Sequence, residues 1–456
     1  MSAERLVDVA VVGGGPAGIA AAVSARRAGA SVVVIDEYAA AGGQIWRRRF
    51  DGSGPRPAQA RRRLAEFEGS GAELLAGRSV WGAPEPGVLL LTGAPGRVRA
   101  GAVVLATGAY DRPVAFPGWT LPGVLTAGGA QALAKGQGVL PGRRILLAGA
   151  GPFLLPVAEQ LRRLGAEVVA VVEATRRRDW LAAAPRMAAY PGRLADYARY
   201  RRSVRRITWG HVIVRAEGDT RVRSATIAPT GPDWTPTGRE RTFQVDAVCT
   251  AYGFTPSVEL ARALGCELHD AGVAHDDDMA TSVPGVFVAG EAAGVGGADL
   301  AQVEGEIAGH AAAAHALAAP RGPASPGGAP PVAPTGAAPR ADLAALRARR
   351  AKLAGFAAIL SDLFDPRPGL LSLATPSTVL CRCEDVTAGA VDDAVQRGAD
   401  TLAALKIVTR CGQGPCQGRV CERLVAQRLP RPERYSARAP IKPIPLGVLI
   451  DAAGPT

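Results

Sequence analysis

The feature that most constrains the fold of this chain is a glycine-rich turn close to its N-terminus. Residues 9–12 form a short apolar run of the kind that makes a buried strand, and residues 19–28 have the composition of a helix. Between them, residues 13–18 read Gly-Gly-Gly-Pro-Ala-Gly, which fits the pattern G-x-G-x-x-G. A strand, a glycine turn and a helix in this order predict a βαβ unit that binds a dinucleotide at its first turn.

Each residue of this turn has a physical role in such a site. Gly13 allows a tight turn, Gly15 lets the backbone approach a pyrophosphate, and Gly18 lets the helix pack closely on the strand. Pro16 and Ala17 begin the helix, whose N-terminus favours a bound phosphate. The turn is therefore predicted to hold the pyrophosphate of a dinucleotide.

An acidic pair follows the second predicted strand. Residues 31–35 are mostly β-branched and end in Asp36 and Glu37, about 20 residues after the turn, where a carboxylate binds the ribose hydroxyls of an adenosine. Asp36 is the first choice for this role because of its register, and Glu37 is the second.

A second strand, turn and helix begin at residue 144. Gly149 and Gly151 supply two glycines, but Leu154 stands where a third is expected. The next strand, residues 168–173, ends in Glu173, which we assign with the two glycines to a second nucleotide site. Its occupant stays open between NAD(P), ATP or ADP, and no ligand at all, in which case the βαβ unit is purely structural.

The chain has three zones. Residues 1–318 alternate β-branched runs, glycine turns and helical stretches, which predicts an α/β fold with parallel sheets and crossover helices. Residues 319–340 are mostly proline, glycine and alanine and form a predicted linker. A helical connector over residues 341–375 then leads to a compact cysteine-rich domain at 376–430 and a tail at 431–456.

The cysteines indicate a metal centre. Seven cysteines are too few for a disulfide framework, and five of them lie between residues 381 and 421. Four thiolates suffice for a [2Fe-2S] cluster, and structural zinc is the alternative. Lys406, Arg410 and Arg419 are placed to offset the negative charge of a cluster. Cys381 and Cys383 are two predicted ligands, and the other two stay open at this point, because Cys416 and Cys421 share a C-x4-C spacing that Cys411 and Cys416 share too.

The α/β zone lacks a close cysteine pair of the kind that disulfide exchange requires. Its two cysteines, Cys249 and Cys266, are far apart in sequence, and we expect both to pack as small apolar residues. The five histidines form no constellation, no catalytic acid or base can be assigned, and Glu304 is expected to be a helix surface or cap residue.

Three segments resemble, in order, the motifs of flavoproteins with two dinucleotide-binding domains related to thioredoxin reductase. They span residues 41–46, 104–109 and 282–291. The resemblance implies FAD, held by a discontinuous domain over 1–115 and 248–318, with a second nucleotide-binding domain over 116–247. The residues that it adds to the FAD site are Gly43, Gln44, Thr107, Gly108, Gly290 and Glu291, the last standing where the family more often has Asp.

The cysteine segment resembles the bacterioferritin-associated-ferredoxin-like domain, which is small, helical and implies a [2Fe-2S] cluster. In the relatives, the residue matching Cys411 is often not a cysteine. The resemblance therefore favours Cys416 and Cys421 as ligands and leaves Cys411 as a spare thiol near the cluster.

The order of parts, with further motifs at residues 106–119, 123–130 and 252–256, resembles the larger flavin subunit of hydrogen cyanide synthase, opine oxidase and D-hydroxyproline dehydrogenase. This implies an electron-transferring FAD oxidoreductase subunit for CH-NH or CH-NH2 donors, in a hetero-oligomer. The implied partners are a glycine-oxidase-like FAD subunit and a small plant-type ferredoxin subunit. The alternatives are a free-standing NAD(P)H-dependent reductase and a non-catalytic subunit that binds ATP or ADP.

Charge and hydropathy exclude other classes. The net charge of +12 comes from basic residues that are nearly all scattered arginines, which is not the pattern of a nucleic-acid-binding surface. Apolar stretches are interrupted before they reach the roughly 20 residues of a membrane span. The first motif begins almost at the N-terminus, which predicts no export signal, so we expect the cytoplasm, with membrane association through the electron acceptor as the alternative.

Overall fold

The computed structural model divides the chain into two compact units. Unit 1 comprises residues 1–110, 255–357 and 436–456, and unit 2 comprises residues 111–254 and 358–435. The predicted linker at 319–340 lies outside the described residues. The structure describes residues 4–53, 57–204, 206–318, 343–430, 434–435 and 438–453.

The strands are distributed over the whole α/β zone, and two further ones lie in the cysteine segment. In chain order they are β1 (Glu4–Val12), β2 (Val32–Asp36), β3 (Glu73–Ala76), β4 (Val80–Glu85), β5 (Val88–Leu91), β6 (Arg97–Leu105), β7 (Ala109–Asp111), β8 (Val124–Thr126), β9 (Arg144–Gly149), β10 (Glu167–Glu173), β11 (Ile207–Trp209), β12 (His211–Glu217), β13 (Ser224–Pro229), β14 (Arg241–Gln244), β15 (Ala247–Ala251), β16 (Phe254–Pro256), β17 (Leu268–His269), β18 (Gly272–Val273), β19 (Val286–Val288), β20 (Val379–Cys381) and β21 (Val386–Thr387).

The helices alternate with the strands up to residue 318 and dominate afterwards. They are α1 (Pro16–Arg27), α2 (Ala58–Glu68), α3 (Ala127–Gly136), α4 (Leu154–Arg163), α5 (Arg177–Met187), α6 (Pro191–Ser203), α7 (Glu259–Ala263), α8 (Ala298–Ala318), α9 (Leu343–Phe364), α10 (Ala388–Gln396), α11 (Leu402–Thr409), α12 (Glu422–Ala426) and α13 (Leu446–Ala453). Short 3-10 turns occupy Gly290–Ala292 and Pro368–Leu373.

Unit 1 contains a seven-stranded sheet in the order β3-β2-β1-β6-β5-β4, in which β19 also pairs with β6. The pairs among β1, β2, β3, β6 and β19 are parallel. Val12 is in register with both Ile35 and Leu105, and Leu105 with Val288, so four strands end at one edge. Every residue predicted for the FAD site lies at or after one of these four strand ends.

Helices α1 and α8 lie so close together that their backbones are in contact. A Cβ atom on Gly305 would lie 2.1 Å from the carbonyl oxygen of Ala17, and one on Gly309 would lie 2.1 Å from that of Ala21. Both glycines are buried. Only glycine permits this approach, and it holds α8 against the helix that follows the first glycine turn.

Unit 2 contains a parallel sheet in the order β11-β10-β9-β15-β8 and a separate antiparallel sheet, β12-β13-β14. Gly149 is in register with Glu173 and Ala251, which brings the predicted second nucleotide residues to one sheet edge. The cysteine segment adds the β20–β21 pair and the helices α10, α11 and α12. The predicted α/β class with a small, mainly helical cysteine domain is confirmed.

The substitution Gly309→Ala tests the α1–α8 contact. Its Cβ would strike a backbone carbonyl, so one helix has to move, and we expect a loss of about 1–3 kcal/mol or more of stability together with weaker flavin retention. The matched control is Gly192→Ala in α6, where a Cβ meets nothing within 4 Å and an exposed helical alanine stabilises by up to about 1 kcal/mol. Thermal melts followed by flavin fluorescence compare the two. Equal melting temperatures for Gly309→Ala and the unmodified chain would contradict the conclusion that α8 contacts the backbone of α1 at Gly309.

Candidate functional site

The first glycine turn is packed as the sequence predicts. Gly13 has a φ of +107°, and a Cβ on it would lie 2.2 Å from the carbonyl oxygen of Ala106. A Cβ on Gly18 would lie 1.8 Å from the carbonyl oxygen of Gly13, so α1 lies directly on the strand. Helix α1 begins at Pro16, immediately after Gly15, and the amides of its first turn are available to a phosphate.

The two candidate ribose-binding acids have different environments. The Asp36 carboxylate is buried and accepts hydrogen bonds from the backbone N–H groups of Gly14 and Tyr38. Burial raises the pKa of Asp36, which those bonds partly offset. Glu37 is exposed and pairs with Lys442 at 2.5 Å. Asp36 therefore fixes the glycine turn to the end of β2, whereas Glu37 is bound to the C-terminal segment of unit 1.

The segment containing Gly43 and Gln44 packs on the same turn. The N–H of Gly42 donates to the carbonyl of Gly14 at 2.7 Å, and a Cβ on Gly43 would lie 2.9 Å from the Cα of Gly15. The Gln44 side-chain amide donates to the hydroxyl of Tyr38. Gly43 is thus required for the close contact between its own loop and the glycine turn. Gln44 lies at the exposed edge of this contact.

Thr107 and Gly108 join the two separate parts of unit 1. The Thr107 hydroxyl donates to the carbonyl of Ser257 at 2.7 Å, and the N–H of Ser257 donates to the carbonyl of Gly108 at 2.9 Å. A Cβ on Gly108 would meet nothing within 4 Å, and one on Gly15 would meet only Gly43, at 3.9 Å. The space over these glycines is open, and this cradle fits a dinucleotide.

Gly290 lies beside α1, but the neighbouring acid is folded back. Gly290 has a φ of +71°, and a Cβ on it would be 2.8 Å from the Cβ of Ala17. A Glu291 carboxylate oxygen accepts a hydrogen bond from the N–H of Gly297 at 2.8 Å, and burial raises the pKa of Glu291. In this structure the Glu291 side chain therefore orders its own loop.

Glu304 corrects an expectation, because it is a core residue rather than a helix surface or cap residue. It is 4% exposed, and its carboxylate accepts the N–H of Gly290 at 3.0 Å and lies 3.4 Å from the Arg350 guanidinium. Burial raises the pKa of Glu304 to about 7. Arg350 also donates to the imidazole of His275 at 2.7 Å. Sequence reasoning missed this group because its members are far apart in sequence, although an acid within an otherwise apolar helix was a usable signal.

The second glycine turn has the expected acid but a different environment. The Glu173 carboxylate accepts hydrogen bonds from the N–H groups of Gly151 and Thr175, each at 3.0 Å. It is buried, and burial raises its pKa to about 7. Gly149, Gly151 and Glu173 are thus brought together, as the sequence predicts.

Aromatic side chains cover this second turn. Carbon atoms of the Phe364 side chain lie 3.4–3.6 Å from where a Cβ of Gly151 would be. The Phe364 ring packs edge-on against Trp180 at 5.7 Å between centroids, and Trp180 in turn contacts Tyr197 at 5.0 Å. The cavity left beside Gly151 and Glu173 is only about 10 Å³, which holds no more than a water molecule. In this structure the turn has no room for a nucleotide.

Five cysteines converge in unit 2 as a trio and a pair. The Sγ atoms of Cys381, Cys411 and Cys421 all lie within 4.8 Å of one another, and all three residues are buried. Cys383 and Cys416 are hydrogen-bonded to each other. Each iron of a [2Fe-2S] cluster takes two thiolates, so the pair and two members of the trio fit this cluster. The predicted set fits, and the open choice is between Cys411 and Cys421.

Tyr435 covers the glycines of the cysteine loop, and sequence reasoning missed it. Its hydroxyl donates to the carbonyl of Cys411 at 3.0 Å. A Cβ on Gly412 or Gly418 would lie 2.7 or 2.5 Å from the Tyr435 ring. Tyr435 lies in the predicted tail, where nothing in the sequence pattern distinguishes it.

The basic residues near the cysteines differ in how much positive charge they can offer to a cluster. Arg419 donates to the carbonyl of Cys416 at 3.1 Å, and the ammonium of Lys406 lies 5.5 Å from the Tyr435 ring. Arg410 is paired with Glu384 at 2.8 Å, so its charge is already compensated. Arg419 therefore positions a predicted ligand, whereas Arg410 has little charge left to offset that of a cluster.

The two remaining cysteines pack as predicted. Cys249 is fully buried in unit 2, and burial raises the pKa of its thiol to about 12. Cys266 is buried in unit 1 and lies 3.5 Å from the hydroxyl of Thr281. Neither thiol has the exposure or the lowered pKa that disulfide exchange requires.

Comparison with protein families places this architecture. Residues 7–316 match the pyridine nucleotide-disulphide oxidoreductase family, and residues 379–429 match the BFD-like [2Fe-2S] binding domain. The chain belongs to the pyridine nucleotide-disulphide oxidoreductase family. This member binds FAD and, in its BFD-like domain with the clustered cysteines, a [2Fe-2S] cluster.

Relatives of known name match this chain over nearly its whole length. The chain is 33% identical to an opine oxidase subunit of Rhizobium meliloti (strain 1021), over 99% of this chain and 100% of the relative. It is 32% identical to the hydrogen cyanide synthase subunit HcnB of Pseudomonas aeruginosa (strain PAO1), over 95% of this chain and 96% of the relative. The predicted resemblance to these flavin subunits is confirmed.

Solved structures share the fold at lower identity. An L-proline dehydrogenase from P. horikoshii superposes with a TM-score of 0.67 and 20% identity, covering 98% of this chain and 80% of the other. A thioredoxin reductase from Lactococcus lactis gives a TM-score of 0.52 and 19% identity, over 68% of this chain and 99% of the other. Among the described residues, no helix of this family member is both long and apolar enough to cross a membrane.

Replacing the cysteines one at a time tests the ligand set. We expect Cys411→Ser to retain iron, sulfide and the visible absorption of the cluster, because all four predicted ligands remain. We expect Cys421→Ser and Cys416→Ser to lose them. Iron and sulfide analysis with electron paramagnetic resonance of the dithionite-reduced chain checks this. Loss of the cluster in Cys411→Ser but not in Cys421→Ser would reverse the assignment.

Proposed function

We propose that this chain is the electron-transferring flavin and iron-sulfur subunit of a hetero-oligomeric oxidase or dehydrogenase that acts on a small amine or imino acid. The substrate is an amino acid, an opine or a hydroxyproline-like compound, and its CH-NH or CH-NH2 group is oxidised at a glycine-oxidase-like FAD subunit. The assembly also includes a small plant-type ferredoxin subunit. The names of the relatives, which are subunits of opine oxidase and hydrogen cyanide synthase, support this proposal.

The electrons balance in such an assembly. Oxidation of the C–N bond removes two electrons and two protons from the substrate and yields an imine, which water hydrolyses. FAD and the [2Fe-2S] cluster, when bound, supply one- and two-electron redox chemistry. The electrons pass on to a quinone or cytochrome acceptor, through which the chain associates with the membrane.

The residues of this chain contribute positioning rather than acid or base catalysis. The open glycine cradle at Gly15 and Gly108 binds the dinucleotide, and Glu304 orients the N–H of Gly290. Cys383 and Cys416, with two cysteines of the trio, hold the cluster.

The observation that carries the proposal is that aromatic side chains cover the second glycine turn. A free-standing NAD(P)H reductase needs a nucleotide beside Gly151 and Glu173, and that space is filled by Phe364, Trp180 and Tyr197. Disulfide exchange is excluded as well, because Cys249 and Cys266 are buried in separate cores. Electron exchange with partner subunits is the function that these features favour.

The test is anaerobic absorption spectroscopy of the chain alone and co-purified with the glycine-oxidase-like subunit. We expect NADH and NADPH to leave the flavin and the cluster of the isolated chain oxidised. We expect an amino or imino acid from a panel that includes opines to reduce both, but only with the partner present. As a control, the variant Phe364→Ala removes the aromatic ring that covers the second glycine turn at Gly151. Prompt reduction of the unmodified chain by NAD(P)H would make it a reductase and overturn the proposal.

A further inference from the structure

Unit 2 contains a second cavity that the electron-transfer function does not use. Its volume is about 190 Å³, and it lies where the segment after β7, the 3-10 turn at 368–373 and helix α12 meet. Four arginines line it, and none of its described lining residues is acidic. The remaining wall is mostly proline, leucine and alanine. The cavity therefore combines an apolar wall with positive charge.

Arg112 is a lining residue whose hydrogen-bond donors are not all paired within the part of the chain that the structure describes. One of its terminal nitrogens donates to the carbonyl of Phe254 at 3.3 Å, but its Nε–H is buried without a hydrogen-bond partner among the described residues. That Nε–H is closed to the cavity as well as to protein acceptors, so a ligand in the cavity reaches Arg112 through its terminal nitrogens. Desolvation, and then repulsion from Arg423, lower the pKa of Arg112 to about 10, and the attraction from Asp365 is the smaller influence.

The other three arginines of the cavity already have interactions of their own. Arg428 binds both carboxylate oxygens of Asp392 at 2.6 Å. Arg367 donates to the carbonyl of Pro232 and lies 5.7 Å from the ring of Trp234. Arg112 is therefore the cavity arginine that is left to bind a ligand, and the charge of Arg423 acts on the same region of the cavity.

We propose that this cavity binds a small carboxylate with an apolar body, whose carboxylate accepts hydrogen bonds from Arg112. The planar guanidinium fork matches a carboxylate in shape, and the apolar wall suits a hydrocarbon body better than a compact phosphate, which needs polar partners on every side. An apolar cavity of about 150 Å³ holds benzene, so about 190 Å³ suits an anion the size of benzoate.

The position of the cavity gives such a ligand access to the cysteine segment. Leu380 and Arg423 line the cavity, the first directly before Cys381 and the second two residues after Cys421. An occupant thus contacts the chain on both sides of the metal centre. The inference is independent of the proposed function, because it concerns binding to this chain alone.

The test is isothermal titration calorimetry of the full chain, with its cofactors bound, against benzoate at low ionic strength. We expect one saturable site. Arg112→Met weakens benzoate binding at least tenfold, and Arg112→Lys, which keeps the charge and loses the fork, weakens it less. Ala374→Phe fills the cavity, leaves the arginines in place and abolishes binding. Arg202→Met on α6, which removes an exposed arginine elsewhere in unit 2, leaves binding unchanged.

The uncharged analogue benzamide and inorganic phosphate separate the chemical requirements. We expect both to bind at least tenfold more weakly than benzoate. Absence of benzoate binding to the unmodified chain would overturn the proposal. So would Arg112 and Ala374 variants that bind benzoate as tightly as the unmodified chain does. Phosphate binding as tight as that of benzoate would overturn the carboxylate assignment. Far-UV circular dichroism and the flavin absorbance of each variant establish that it is folded, and Arg112→Lys and Ala374→Phe provide two independent routes to the result.

Discussion

The organisation of unit 1 depends on the backbone contact between α1 and α8. Gly305 and Gly309 bring α8 against the carbonyl oxygens of α1, a separation that no residue with a Cβ could keep. The contact places Gly290 beside Ala17 and lets Glu304 reach the N–H of Gly290. Two motifs about 270 residues apart in sequence are thereby joined at one sheet edge, the edge at which we propose that the dinucleotide binds.

The local parts of this arrangement could be predicted from the sequence because their signals are local. The spacing of Gly13, Gly15 and Gly18 after an apolar strand determines the turn, and the five clustered cysteines indicate the metal centre. The family resemblance supplied the order of the later motifs. The side-chain assignments of the FAD and cluster ligands stay predictions, supported by how the structure brings these residues together.

The features that escaped prediction are contacts between distant segments. Glu304 looked like a surface residue because its partner Arg350 lies beyond the linker, and Tyr435 lay in a tail without a pattern. The second glycine turn was left open between a nucleotide site and a structural unit. Phe364, 215 residues after the end of β9, fills the space beside the glycine turn that follows this strand, and no sequence period relates the two. The chain thus keeps a dinucleotide fold in unit 2 whose own aromatic residues occupy the ligand position.

The most direct test of the electron-carrier role is an anaerobic dithionite titration of the purified chain, followed by absorbance and electron paramagnetic resonance. We expect uptake of about three electrons per chain, two by FAD and one by the cluster, with the resonance of a reduced [2Fe-2S] centre. Uptake of about two electrons without that resonance, together with zinc in place of iron, would contradict the role of the chain as a flavin and iron-sulfur electron carrier.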